Sequence, residues 1–325
     1  MPRLSAEGWR AANPLTRWLV ATRAAVGVMT FSAAAFGGLL AVRDAQLGSA
    51  SIDAPSWLLC CVGLLLAHAT NNLLNDWTDT VRGVDDGNYF RTRYGTHVLE
   101  HGLLDRRGLW GYIIATGLAA LMVGLLILWR VGPVVLLPLI AGGFFLLFYT
   151  WPLKQLGLGE PAVLLVWGPL MVGGSHLVTT GSFDPTVLWA GLLFGLGPTL
   201  VIFGKHIDKL QFDAAKGVST LPVRLGEQRS RRWVQAMAWA QLPLLLILVA
   251  TAQLPVLTLV ALLSAPSALR LIRMCSTPRP AQRPDDWPED LWPLWFVAAA
   301  FAHVRQAGLL LIAGLVLDTL RLALF

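Results

Sequence analysis

Asn72-Leu73-Leu74-Asn75-Asp76-Trp77-Thr78-Asp79, followed by Arg82-Gly83-Val84-Asp85-Asp86, closes a long apolar stretch and opens a charged loop. On a helix, Asn72, Asn75 or Asp76, and Asp79 fall on one stripe. A second acidic segment, Lys205 to Asp213, ends another apolar stretch and carries Asp208 and Asp213 among Lys205, Lys209 and Lys216. Charge at the edge of a bilayer is tolerated only where it faces water or lines a protein cavity. Both segments are therefore expected to cap one central cavity. The first presents hard oxygen donors suited to Mg2+, and the second mixes carboxylates and amines in a way that suits a metal and a phosphate group together.

The rest of the chain sets the fold class. Its 325 residues are 55% hydrophobic and 14% charged, with a mean hydropathy of +0.61, which excludes an ordinary soluble domain. Crossing the hydrocarbon takes about 20 apolar residues. Such stretches lie near 18–42, 54–75, 109–130, 133–153, 160–181, 185–206, 233–250, 254–273 and 292–322. The expectation is an all-α polytopic membrane bundle of about nine transmembrane helices around a central cavity, forming one domain over 1–325. In the last stretch, Trp292 to Ala300 is expected to run along the interface before the chain crosses. The first stretch follows Arg3, Arg10 and Arg17 without a small-residue cleavage site, so it reads as a retained span.

Lys and Arg gather before the first span and after the second, fourth, sixth and eighth, leaving Arg43, Arg130 and Arg321 for the alternate side. The positive-inside rule then puts the N-terminus and both acidic segments in the cytoplasm and the C-terminus outside, in an inner (plasma) membrane. Topology and anionic headgroups account for the net charge of +6, so no nucleic-acid partner is inferred. Cys60, Cys61 and Cys275 have neither a disulfide frame nor zinc spacing.

Several separated stretches carry a resemblance to a known family. They are Asn75-Asp76-Trp77-Thr78-Asp79 with Arg82-Gly83-Val84-Asp85, Thr96 to Leu104, Tyr149-Thr150-Trp151-Pro152-Leu153-Lys154 with Leu156-Gly157-Leu158-Gly159-Glu160, and Asp213 to Gly217 with Thr220-Leu221-Pro222-Val223-Arg224-Leu225-Gly226. Together they resemble the UbiA superfamily of intramembrane prenyltransferases, in particular its 1,4-dihydroxy-2-naphthoate polyprenyltransferase branch. There are departures. His97 stands where the family often has arginine, Arg23-Ala24 replaces an Arg-Pro and loses the expected kink, and Lys209 replaces the first carboxylate of the second acidic pair. Asp208 sits one residue away, roughly 100° around a helix, so only a local irregularity would let it substitute.

The resemblance implies transfer of a polyprenyl group from a polyprenyl diphosphate to an aromatic acceptor at the bilayer, with Mg2+ as cofactor. Dihydroxynaphthoate, decarboxylated on transfer in menaquinone biosynthesis, is the expected acceptor, with 4-hydroxybenzoate or another phenol as rival. Asn75, Asp76, Asp79, Asp85, Asp208 and Asp213 are the expected metal ligands, although Asp85 also suits a plain turn. Arg82, Lys154, Lys205 and Lys209 would grip the diphosphate, unless Lys209 simply pairs with Asp213 four residues on. Arg23, an arginine inside a span, should face the cavity or else snorkel to the headgroups. Tyr149 is the ring expected to shield the allylic cation, with Trp77 and Trp151 behind it. His68, His176 and His303 read as hydrogen-bond partners between helices, and His206 flanks the second motif. A membrane transporter is the competing class, but it would carry ionisable residues well inside several spans.

Overall fold

The computed structural model describes residues 5–84 and 96–324. Asp85, Asp86, Arg91 and Arg93 lie outside the described residues. Nine helices long and apolar enough to cross a membrane are found among the described residues: α1 Ala24–Gln46, α2 Ala54–Val81, α3 Arg106–Val131, α4 Pro133–Leu156, α5 Gly159–Thr180, α6 Val187–Asp208, α7 Glu227–Ala250, α8 Val256–Met274 and α9 Phe296–Leu324. Large apolar side chains cover their outer faces, Trp129 at 79% and Leu137 at 78% exposure among them. Only lipid tails accept such a surface.

Local sequence explains the ends of the helices. Asp53 caps α2 by accepting from the Ser56 amide at 3.2 Å and the Ser56 hydroxyl at 2.6 Å, and Asp105 caps α3 by accepting from the Gly108 amide at 2.7 Å. Gly132, at φ +95°, ends α3 and turns the chain into α4. Between α2 and α3, the segment Thr96–Leu104 packs Val98 and Leu99 with Leu73 and Leu109.

α6 is the axis of the bundle and packs against α5, α7 and α9, while α1 contacts α2, α5 and α9. Glycine permits the closest of these approaches. A Cβ on Gly195 would come within 2.7 Å of the Leu164 carbonyl, and one on Gly204 within 2.9 Å of the Phe296 backbone. With little hydrophobic drive between helices in lipid, such close backbone packing is a main source of association.

Two helix ends depart from the expected spans. The first span begins at Ala24, after a separate short helix Pro14–Ala21, and the break falls on Arg23, whose φ of +56° is left-handed. The kink that an Arg-Pro would supply is therefore present without proline. The last span begins at Phe296 and takes in Ala300, leaving Trp292 to Trp295 outside the helix. The stretch expected to lie along the interface is thus divided between a connection and the span itself.

Candidate active site

The two acidic segments meet at one end of a single cavity of about 1540 Å³, lined mainly by apolar side chains of α1 to α6 and α9. Arg23, Asn75, Asp79, Tyr149, Lys154, Lys205 and Lys209 all line it, so helix ends far apart in sequence share one space.

The first segment is the last two turns of α2. Asp79 accepts two hydrogen bonds from Lys154 Nζ, at 2.8 and 3.1 Å, in a pair of which both partners are buried. Asn75 donates to the Thr150 hydroxyl at 3.3 Å. Asp76 is 1% exposed; it pairs with Arg23, and His97 Nε2 lies 3.9 Å from it. The left-handed backbone at Arg23 aims its guanidinium across to α2, and the break is stitched in place by Asn72, which donates to the Thr22 carbonyl at 2.9 Å. A positive φ on arginine costs about 1 kcal/mol or more and persists only where the surroundings hold it. Arg82 follows the end of α2; it is exposed, with its guanidinium 5.0 Å from the Trp151 ring centroid. That position is outside the buried group of cations.

Lys154 and Tyr149 reach the cavity because α4 does not end smoothly. Trp151 has extended backbone (φ −149°, ψ 128°), which breaks the helix between them. Just beyond, Glu160 is wholly buried and accepts from the Leu221 amide at 3.4 Å, and its other oxygen lies 2.5 Å from His206 Nδ1. This pair ties the start of α5 to the end of α6 and to the chain after it.

The second segment is built differently. α6 ends at Asp208, and a short helix, Leu210–Ala215, restarts after Lys209. The local irregularity that would free Asp208 to serve as a ligand is present. Even so, Asp208 turns toward α9: its carboxylate accepts from the backbone amides of Trp295, Phe296 and Val297 at 3.0, 3.1 and 3.0 Å. Its side chain is fully buried and caps a helix, which removes Asp208 from the group of metal-facing oxygens. Asp213 is 0% exposed and pairs with Lys209 Nζ at 3.0 Å, so the i, i+4 pair and the cavity-facing position of Lys209 occur together.

Among the described residues no group of three or more His, Cys, Asp or Glu side chains forms a ready-made metal cluster. The available donors are the amide oxygen of Asn75 and the carboxylates of Asp79 and Asp213, with Asp76 behind them. That set is hard and oxygen-only, and Mg2+ is ordinarily bound by one or two carboxylates plus substrate phosphates. The residues therefore fit Mg2+ delivered with a diphosphate. They do not form an all-protein cage.

The span histidines bond between helices as expected: His68 to Thr30 at 2.6 Å, His176 to Asp44 at 2.9 Å, and His303 to Gln241 at 2.8 Å. Reading the sequence did not single out Asn72 as a backbone stitch, the partnership of Glu160 with His206, or Arg305, which lines the cavity from the first half of α9. For Arg305 the signal was available, since it is a cation within the last apolar stretch.

A family model described as the UbiA prenyltransferase family matches residues 31–288. The chain is 26% identical over 200 residues to a UbiA prenyltransferase domain-containing protein 1 of Xenopus tropicalis, covering 61% of this chain and 57% of that protein. It is also 26% identical over 240 residues to a 1,4-dihydroxy-2-naphthoate octaprenyltransferase of Escherichia coli, covering 71% and 75%. The matched region thus spans little more than half the length of the first of these relatives. Among solved structures, a UbiA homolog from Aeropyrum pernix K1 superposes with a TM-score of 0.68 at 18% identity over 90% of this chain and 97% of that one. A UbiA homolog from Archaeoglobus fulgidus bound to GPP and Mg2+ superposes with a TM-score of 0.58 at 13% identity, over 90% and 99%.

Proposed function

The chain belongs to the UbiA prenyltransferase family, and from that premise we propose that it transfers a polyprenyl group from an allylic diphosphate to an aromatic acceptor. Dihydroxynaphthoate, decarboxylated on transfer, stands ahead of 4-hydroxybenzoate as the acceptor, on the strength of the naphthoate-acting relatives. The observation that carries the reading is charge: Arg23, Lys154, Lys205 and Lys209 converge on the polar end of an otherwise apolar cavity. Such a space suits a ligand with a multiply charged anionic head and a long hydrocarbon tail.

Mg2+, held by Asn75, Asp79 and Asp213, would supply neutralisation of the departing diphosphate. The chain's own residues do the remainder. Lys154, Lys205 and Lys209 bind the diphosphate oxygens, and Arg23 holds Asp76 in place behind Asp79. When the allylic carbon–oxygen bond breaks, its electron pair leaves on the pyrophosphate. Tyr149 offers its ring to the allylic cation, and the apolar wall excludes water that would otherwise capture it. An electron-rich ring carbon of the acceptor then attacks the cation, and the bond from that carbon to its carboxylate breaks, releasing carbon dioxide and returning its electron pair to the ring. An acceptor attacked at a C–H carbon loses a proton instead. The distribution of Lys and Arg supports a cytoplasmic orientation for the acidic end of the bundle.

The test is pyrophosphate release by purified protein given geranylgeranyl diphosphate and dihydroxynaphthoate, with and without Mg2+. Release together with prenylated naphthoquinol supports the reading, and absence of both with every phenolic acceptor would overturn it.

A further inference from the structure

Arg305 lies nine positions past Phe296 in α9, about 13 Å along the helix at 1.5 Å per residue. The hydrocarbon is about 30 Å thick and a helix the length of α9 spans roughly 43 Å, so this guanidinium starts well inside the apolar layer. It makes no hydrogen bond or ion pair with any described residue, and it lines the same cavity as Lys205 and Lys209. An arginine at that depth is costly unless an anion or a wet cavity compensates it. Among the described residues no anion meets it, and its exposed side chain leaves the guanidinium open to an anionic group carried by a ligand in the cavity.

We propose that Arg305 is the subsite for the carboxylate of an aromatic acid acceptor, deeper in the cavity than the diphosphate-binding lysines. The inference rests on the acceptor reading given above and names the group that recognises it. Register supports it. Phe296 packs on Gly204 and Val304 on Gly197, so α6 and α9 run antiparallel, with Arg305 about nine residues, roughly 13 Å, deeper than Lys205. Helical side chains lean toward their own N-terminus. Lys205 therefore leans inward from the polar end, and Arg305 leans toward it from below. Both cationic heads thus line the same space, Lys205 at its polar end and Arg305 deeper within it. A prenyl tail, by contrast, offers nothing to a guanidinium. Planar two-point recognition of a carboxylate is what arginine does best.

The experiment is calorimetric binding of 1-hydroxy-2-naphthoate and of 1-naphthol to the purified full-length protein in nanodiscs, without prenyl diphosphate. Wild type is compared with Arg305→Leu and Arg305→Lys, and the discs contain either phosphatidylcholine or phosphatidylglycerol. Loss of a charge-assisted pair predicts roughly 30- to 100-fold weaker binding of the carboxylate to Arg305→Leu, partial recovery in Arg305→Lys, and no change for 1-naphthol. Equal weakening of both ligands, no weakening of either, or no carboxylate binding by the wild type would each overturn the assignment. So would an Arg305-dependent change that appears only with phosphatidylglycerol, since that would make the ligand a lipid phosphate. Pyrophosphate release separates this inference from the parent reading. Carboxylate binding through Arg305 without any turnover removes the transferase and keeps the site, whereas turnover of dihydroxynaphthoate unchanged in Arg305→Leu removes the site and keeps the transferase.

Discussion

Asp76 and Asp79 are each held by a cation from another part of the chain, Arg23 and Lys154, and one of them opens onto the cavity. In the second segment, Asp208 is consumed by three backbone amides of α9, while Asp213 pairs with Lys209 of its own turn. Two stretches that look alike as acidic helix ends are therefore used differently, one for ligand contact and helix-to-helix pairing, the other half for architecture. Counting carboxylates in a motif overstates the number of ligands, because a carboxylate at a helix terminus has a competing use as a cap.

The sharpest way to break this contrast is Asp79→Asn. It leaves Lys154 without its charged partner and removes the only carboxylate among the described residues that lines the cavity, so turnover should fall by about 10² to 10³ or more. Pyrophosphate release checks this, with a monodisperse elution profile confirming folded protein. Asp208→Asn should do the reverse: the thermal midpoint drops, for a loss of about 2 kcal/mol as buried amides lose one of their two acceptor oxygens, while turnover per folded molecule stays near wild type. If instead Asp208→Asn folds normally and is inactive, the assignment of Asp208 as a cap fails.

Lys209→Gln tests the half of the second segment that faces the cavity. The apparent KM for prenyl diphosphate should rise about 10-fold, with the acceptor KM little changed, in steady-state titrations of each substrate. The smallest effect is expected at the far end of the bundle, where Ser56, and with it Arg130, lowers the Asp53 carboxyl below its ordinary value. A carboxylate with a depressed folded pKa stabilises above its unfolded pKa, and that contribution fades as pH falls through the ordinary range toward the lowered one. Wild type should lose slightly more thermal stability than Asp53→Asn as pH falls below about 4, by differential scanning fluorimetry. The effect is slight because the pair is well exposed.

Much of this molecule can be read from apolar length alone. All nine spans follow from it, because a bilayer leaves few other ways to satisfy the backbone. The pairing of the acidic stripe with one cavity was also legible, since Asn75 and Asp79 share a face and cations follow the even-numbered spans. What sequence hides is competition for a side chain. Nothing in Lys205 to Asp213 announces that Asp208 belongs to α9, because its three partners lie almost ninety positions further on. Nor does Arg23-Ala24 announce a break: alanine favours continuing the helix, and only tertiary contacts from Asn72 and Asp76 hold the left-handed residue in place.

The glycine contacts between α6 and α9 have one further consequence. Each is backbone against backbone or branched side chain, at Gly204 and Gly197, and Asp208 pins the upper end. Two rods fastened at several notches cannot slide past one another, so the span from Lys205 to Arg305 behaves as a fixed-jaw gauge. Acceptors one ring longer or shorter would have to be accommodated elsewhere in the lining, and α4, the least buried of the described spans, is where variation in acceptor size among engineered forms should be sought first.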